Sequence, residues 1–271
     1  MSATNNKVHL FDIFSTLSTP QNSWSAHILK IRCILNYKKI PYTQSFISYP
    51  DIAPLLKSLD VTPNKSGTPY TLPAIVHKSS ITPNPHGALA DSLPIALHVD
   101  KIFPDPPLFP SGDASYALFL AVERIMASFE SGYRPFIVPR VAENLDPRGR
   151  VYFEATRSAA LGMPLAQVRP RPEDKERRNE LLKIIEREAV TLIGMLNGRE
   201  GKKGVFFEGK TLGFADILVA CHLAFIERFD TELFTRVVGL EGGKLRALYE
   251  ACVPLLEGQG EERAWDLSSE N

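Results

Sequence analysis

The chain has 271 residues, 44% of them hydrophobic and 23% charged, the composition of a soluble globular protein with room for one large domain or two modest ones. Lys plus Arg and Asp plus Glu both number 31, so there is no net field to attract nucleic acid or an anionic membrane, and a basic-patch function is excluded. Cys33, Cys221 and Cys252 are far apart, with no Cys-x-x-Cys and no His/Cys cluster, which points to buried thiols in a reducing cytoplasm and to no metal.

The polar start from Met1 to Lys7 carries no secretory h-region, and no run is long enough to span a bilayer. Residues 8–13 read as a first strand. A polar loop from Ser15 to Ser23 leads to a helix from Ser25 to Tyr37, in which Ile28, Ile31, Ile34 and Leu35 recur at helical spacing. Lys30 and Arg32 then read as solvated residues on the opposite face, and Cys33 as a packed small hydrophobe. A second strand is expected over 42–49, a short helix from Pro50-Asp51-Ile52, a third strand over 72–77, a fourth at Ala88-Leu89 and a helix over 92–102. This βαβ-α-ββα order is that of a thioredoxin-like α/β domain, placed at 1–105. The proline-rich stretch Phe103 to Pro110 ends it. An all-α domain is expected over 113–271, with a helix over 114–129 and a kinked continuation through Pro135 and Pro139, then helices over 151–161, 173–197, 214–229 and 244–256. The mixed-sign run from Arg169 to Arg178 reads as a loop and an exposed helix start.

Two short motifs carry chemistry. In Tyr70-Thr71-Leu72-Pro73-Ala74-Ile75-Val76 a proline enters a β-run, and Leu72 before it can present its N–H and C=O to a peptide ligand as another strand would. In Ala90-Asp91-Ser92-Leu93-Pro94-Ile95-Ala96 a helix opens at Ser92, and the unpaired N–H groups of a first helical turn hold carboxylates. Each motif taken alone also reads blandly, as an ordinary proline at a strand start and as a helix N-cap. The loop before the first helix holds Asn22-Ser23-Trp24-Ser25-Ala26-His27. A cysteine there would suggest disulfide exchange; Ser25 is instead suited to donate a hydrogen bond to a ligand's sulfur.

With these motifs, and with Lys30-Ile31-Arg32, Leu35-Asn36-Tyr37-Lys38-Lys39-Ile40-Pro41-Tyr42, Tyr49-Pro50-Asp51-Ile52, Tyr152-Phe153, Thr156-Arg157, Gly162 and Ala215-Asp216-Ile217, nearly the whole chain resembles the cytosolic glutathione transferases. It is most similar to the fungal class called Fungi A, itself similar to bacterial β-etherases. The resemblance implies a thioredoxin-like domain followed by an all-α domain, glutathione as cosubstrate and a homodimer. It implies a catalytic serine at Ser25, a cis proline at Pro73, and γ-glutamyl recognition by Asp91 and Ser92, with Trp24, His27 and Leu72 beside them. A small electrophile, aromatic or a secondary-metabolite intermediate, would lie between the domains. Phe129, Tyr133, Phe136, Ile137 and Tyr152 are candidates for its wall, and equally for core packing.

Two departures stand out. Related sequences follow the serine with Pro-Asn-Thr-Trp, whereas this chain has Ala26-His27-Ile28-Leu29, so His27 replaces the asparagine's contact, titrates, caps the helix, or stays at the surface. Gly213 stands where Ser or Thr usually helps Asp216 to cap a helix. A non-catalytic glutathione- or ligand-binding protein on the same fold therefore stands beside the transferase reading.

Overall fold

The protein was analysed as a computed structural model that describes residues 7–266; the polar residues Met1–Asn6 lie outside it. β1 (Val8–Ile13) and β2 (Tyr42–Ile47) pair in parallel from Val8 opposite Tyr42 to Ile13 opposite Ile47, and α1 (Ala26–Tyr37) makes the crossover that a parallel pair requires. After α2 (Ile52–Ser58), β3 (Ala74–Val76) runs antiparallel to β1, with Phe11 opposite Ala74, and β4 (Ala88–Ala90) returns beside β3. α3 (Ser92–Ile102) follows. The thioredoxin-like order expected from the sequence is what the chain adopts.

Chain proximity divides the molecule into two units. The first contains the residues up to Pro106, together with Asn144–Phe153 and the residues from Glu257 on. Its sheet has a fifth strand that the sequence does not announce. β5 (Glu261–Glu262) lies parallel to β2 on the far edge, giving the order β4-β3-β1-β2-β5.

α1 is covered on more faces than its apolar spacing implies. Lys30 and Arg32, read from the sequence as solvated, are both buried. The Arg32 guanidinium donates through Nε at 3.0 Å and through a terminal nitrogen at 2.8 Å to the carbonyl of Gly258, which also accepts from Asn36 Nδ2 at 3.0 Å. A chain segment beyond the last helix thus covers what would otherwise be the wet face of α1.

The second unit is all-helical, as expected. It contains most of α4 (Asp113–Val141), the later part of α5 (Pro147–Leu161), α6 (Lys175–Asn197), α7 (Phe214–Phe229), α8 (Thr231–Val238) and nearly all of α9 (Lys244–Glu257). α4 runs unbroken through Pro135 and Pro139. Gly132 lets α4 approach α6, since a Cβ there would stand 2.8 Å from the Ile185 side chain. α7 is buried all along Phe214–Ile226, the pattern of a helix surrounded by others. Its start is fixed by Asp216, whose carboxylate accepts from Gly213 N–H and Phe207 N–H, each at 2.8 Å. Among the described residues no helix is long and apolar enough to cross a membrane.

Candidate functional site

The register of the sheet brings the separated motifs to one end of it. β1 ends at Ile13, and the loop beginning at Phe14 leads to the N-terminus of α1, which lies beyond that end because a βαβ crossover starts where its first strand stops. β3 begins there too, with Ala74 between Phe11 on one side and Ala90 on the other. Pro73, one residue earlier, accepts a hydrogen bond from Asp91 N–H at 3.1 Å. The Leu72–Pro73 bond is cis. Leu72, Pro73, Asp91, Ser92 and Ser25 therefore belong to one end of one sheet, although up to 67 positions part them in the sequence.

Among the described residues no cap hydrogen bond takes up the side chains of Ser25 or Asp91, and no backbone group pairs with the Leu72 peptide. Ser25 is the N-cap residue of α1 by its backbone: φ −67° and ψ 122° are extended, and its C=O accepts from Ile28 and Leu29 at 3.0 and 2.9 Å. Its hydroxyl makes no capping hydrogen bond. Asp91 has the N-cap place of α3 with φ 73°, a left-handed backbone that a non-glycine residue rarely takes, and its carboxylate does not cap either. The bland reading of Asp91-Ser92 as a simple cap requires that hydrogen bond. Leu72 is buried, yet among the described residues neither its N–H nor its C=O has a backbone partner. An unpaired peptide just before a strand is an edge to which an extended chain could add.

The loop that carries Ser25 is held by its own contacts. Phe14 N–H donates to Ile47 C=O at 2.9 Å, Thr16 N–H to Asn144 C=O at 2.8 Å, and Ser15 Oγ to Asn22 C=O at 2.9 Å. Trp24 is buried and His27 exposed on the first turn of α1. The Ser23 hydroxyl is buried with no hydrogen-bond partner among the described residues.

The five residues proposed for an electrophile wall fall into two groups. Phe129, Tyr133, Phe136 and Ile137 are all buried on α4 in the helical unit. The Tyr133 hydroxyl lies 2.6 Å from His222 Nδ1, and burial pushes its pKa well above the ordinary value. Tyr152 instead belongs to the first unit, is 38% exposed and lies near-parallel to Tyr49. In the same unit the Arg148 guanidinium donates to Asp51, in the motif Tyr49-Pro50-Asp51-Ile52, at 2.7 Å.

Known proteins resemble this chain along most of its length. The family model described as glutathione S-transferase, C-terminal domain, matches residues 117–255. A glutathione S-transferase-like protein of Aspergillus flavus is 50% identical over 261 residues, covering 95% of this chain and 94% of that one. Among solved structures, a glutathione S-transferase of Ceriporiopsis subvermispora in complex with glutathione superposes with a TM-score of 0.79 at 26% identity, covering 92% of this chain and 98% of that one. A glutathione transferase of Phanerochaete chrysosporium gives 0.78 at 25% identity, covering 92% and 97%.

Proposed function

Because the chain belongs to the glutathione S-transferase family, we propose that it binds glutathione where Leu72, Asp91 and Ser25 meet and uses Ser25 to hold the cysteinyl sulfur as a thiolate for attack on a small electrophile. The observation that carries this reading is the set of unconsumed polar groups at one end of the sheet: the Ser25 hydroxyl, the Asp91 carboxylate and the Leu72 peptide. Their chemistry matches the three ends of a γ-glutamyl-cysteinyl ligand. The Leu72 N–H and C=O pair with the cysteinyl backbone. The first turn of α3, at Ser92, receives the γ-glutamyl carboxylate, and the Asp91 carboxylate receives the ammonium beside it.

The energetics of the sulfur are within reach of one hydroxyl. A free thiol titrates near ~8.5, and each unit of depression requires about 1.4 kcal/mol. A hydrogen bond to a charged sulfur supplies roughly 1.5–3 kcal/mol, and the N-terminus of α1 up to about 1 more. Two units are attainable, which makes bound glutathione mostly thiolate at neutral pH. The sulfur then forms a C–S bond while a leaving group departs with its electron pair; on an activated alkene, the neighbouring carbon takes a proton instead. Ser25 donates its hydrogen bond throughout and forms no covalent bond. The work is positioning and charge stabilisation.

Ser25→Ala is expected to raise the pKa of bound glutathione by one to two units, about 1.4 kcal/mol each, and to lower kcat/KM by about the same number of decades at pH 7. Ultraviolet titration of the thiolate in the binary complex, with conjugation rates across pH, measures both. An unchanged thiol pKa in the mutant removes Ser25 from its role. Glutathione binding with no conjugation across a broad panel of electrophiles would assign the chain to the non-catalytic class.

A further inference from the structure

β3 begins beside Leu72 and Pro73, and its other end carries a cluster of imidazoles and hydroxyls that no part of the proposed glutathione site uses. His77 follows the last residue of β3 and is buried. Its Nδ1 lies 2.6 Å from Ser80 Oγ, and its Nε2 lies 2.9 Å from Ser79 Oγ. Ser80 Oγ is also 2.8 Å from Nε2 of His98, on α3. One half-buried hydroxyl thus stands between two rings, with the exposed Ser79 at the far nitrogen of the buried ring.

The backbone fixes this arrangement. Ser80 N–H and Ile81 N–H both donate to His77 C=O, at 3.1 and 3.0 Å, and His77 N–H donates to Gly87 C=O at 2.8 Å. Gly87 has φ 69°, and a Cβ there would stand 2.6 Å from Lys78 Cα, so the two arms of the turn meet where only glycine fits. The Phe103 ring lies 6.0 Å from that of His77.

A serine hydroxyl has a single hydrogen, so it donates to one imidazole while the other donates its own N–H to the oxygen. His98 is the ring better able to take that proton. It is half-buried, so water reaches the imidazolium that forms, whereas a charge on the buried His77 would be costly. Burial, then proximity to His77 and Lys101, lowers the His98 pKa below 6.5, which leaves the ring neutral at pH 7. A nucleophilic serine requires a base within hydrogen-bond reach and a third group that orients the pair. Ser80, His98 and His77 supply these three parts.

We propose that Ser80 is a nucleophile activated by His98, and that it accepts acyl groups from activated carboxylic esters. Ser80 Oγ adds a lone pair to the ester carbonyl carbon while its proton passes to His98 Nε2. The tetrahedral intermediate then collapses, and the bond to the leaving oxygen breaks with its electron pair. The imidazolium returns the proton to that oxygen or to water, and the product is O-acyl-Ser80. The step uses neither Ser25 nor glutathione, so it stands or falls apart from the transferase reading.

The test treats the full chain, without glutathione, with p-nitrophenyl acetate at pH 7 and follows acetylation residue by residue by peptide mass mapping. Ser80 is expected to acetylate about a hundredfold faster than the exposed Ser66, the scale of general-base assistance. That comparison is made within the wild type and depends on no variant. His98→Asn should bring Ser80 down to the rate of Ser66 and leave Ser66 itself unchanged. Ser79→Ala should leave the acetyl group on Ser80. Acetylation of Ser80 no faster than that of Ser66, an acetyl group that maps to Ser79, or an unchanged rate at Ser80 in His98→Asn overturns the proposal.

Discussion

Lys38 is a charged residue taken wholly out of water. Its ammonium donates to Asp100 Oδ1 at 2.7 Å, to Phe103 C=O at 2.7 Å and to Pro106 C=O at 2.6 Å, so its three hydrogens have three acceptors. The contact ties the end of α1 to the end of α3 and to the chain leaving the first unit. Desolvating an ammonium is costly, and three good acceptors are what make the burial tolerable. Lys38→Ala leaves a carboxylate and two carbonyls without their donor. We expect a loss of about 3 kcal/mol in urea unfolding, and a loss below 1 kcal/mol would show that water replaces the ammonium. Ser23 is the opposite case, since its buried hydroxyl has no partner among the described residues. Ser23→Ala is expected to leave stability unchanged or raise it by up to about 1 kcal/mol, unlike Lys38→Ala, when melting is followed side by side.

At the scale of elements, β5 and the residues around it do more than extend the sheet. Gly258 C=O takes the Arg32 guanidinium, Arg263 N–H donates to Gln44 C=O at 2.8 Å, and the Trp265 ring lies 4.7 Å from His9 and 4.8 Å from Phe11. This segment closes the β2 edge, which would otherwise offer a row of unpaired peptide groups to another chain. The fit depends on Gly260, where a Cβ would stand 2.5 Å from the Tyr42 ring and 2.8 Å from its carbonyl. Gly260→Ala is expected to loosen the segment, costing about 1–3 kcal/mol and shifting Trp265 emission to the red; a spectrum and melting curve like the wild type's would show that Tyr42 simply gives way. Nothing in Gln259-Gly260-Glu261-Glu262 announces a strand, because two charged residues have no alternation to read. The same omission misplaced Lys30 and Arg32, since apolar spacing identifies the face of α1 toward the sheet and says nothing of a cover arriving from residue 258. The βαβ unit and the ββ hairpin were legible because their apolar runs are long or bounded by turns. Ser25, Leu72 and Asp91 could be singled out because each sits at an element's start, where backbone groups are unpaired. The ties from Ser48 and Asp51 to Asp146 and Arg148 could not be read, because they link residues about 100 positions apart through hydrogen bonds that no local pattern encodes.

For the molecule as a whole, two buried titrating groups give stability opposite dependences on pH. Burial, helped by the nearby charge of Arg263, lowers the His9 pKa from 6.5 to about 4. His9 therefore stays neutral in the fold while the unfolded chain gains a proton below pH 6.5, so its stabilising contribution is complete above 6.5 and is lost as pH falls toward 4. At about 1.4 kcal/mol per unit the loss is on the order of 3 kcal/mol. Asp216 behaves in reverse. Burial raises its pKa from 3.8 to about 7 against the pull of the Phe207 and Gly213 N–H donors, so the native state holds the proton more tightly. Its contribution is complete below about pH 4 and is lost as pH rises to 7, on the order of 4 kcal/mol. Between pH 4 and 6.5 the two trends oppose each other, and the wild type is expected to be nearly flat there. Urea unfolding at pH 4.5, 5.5 and 7 exposes each trend once the other is removed. Asp216→Asn should lose stability steeply as the solution is acidified, because only the His9 dependence remains. His9→Asn should gain stability over the same interval, because only Asp216 still titrates. The two variants must diverge as pH falls; curves that run parallel from pH 7 to 4.5 would mean that neither burial moves its group as far as the structure implies.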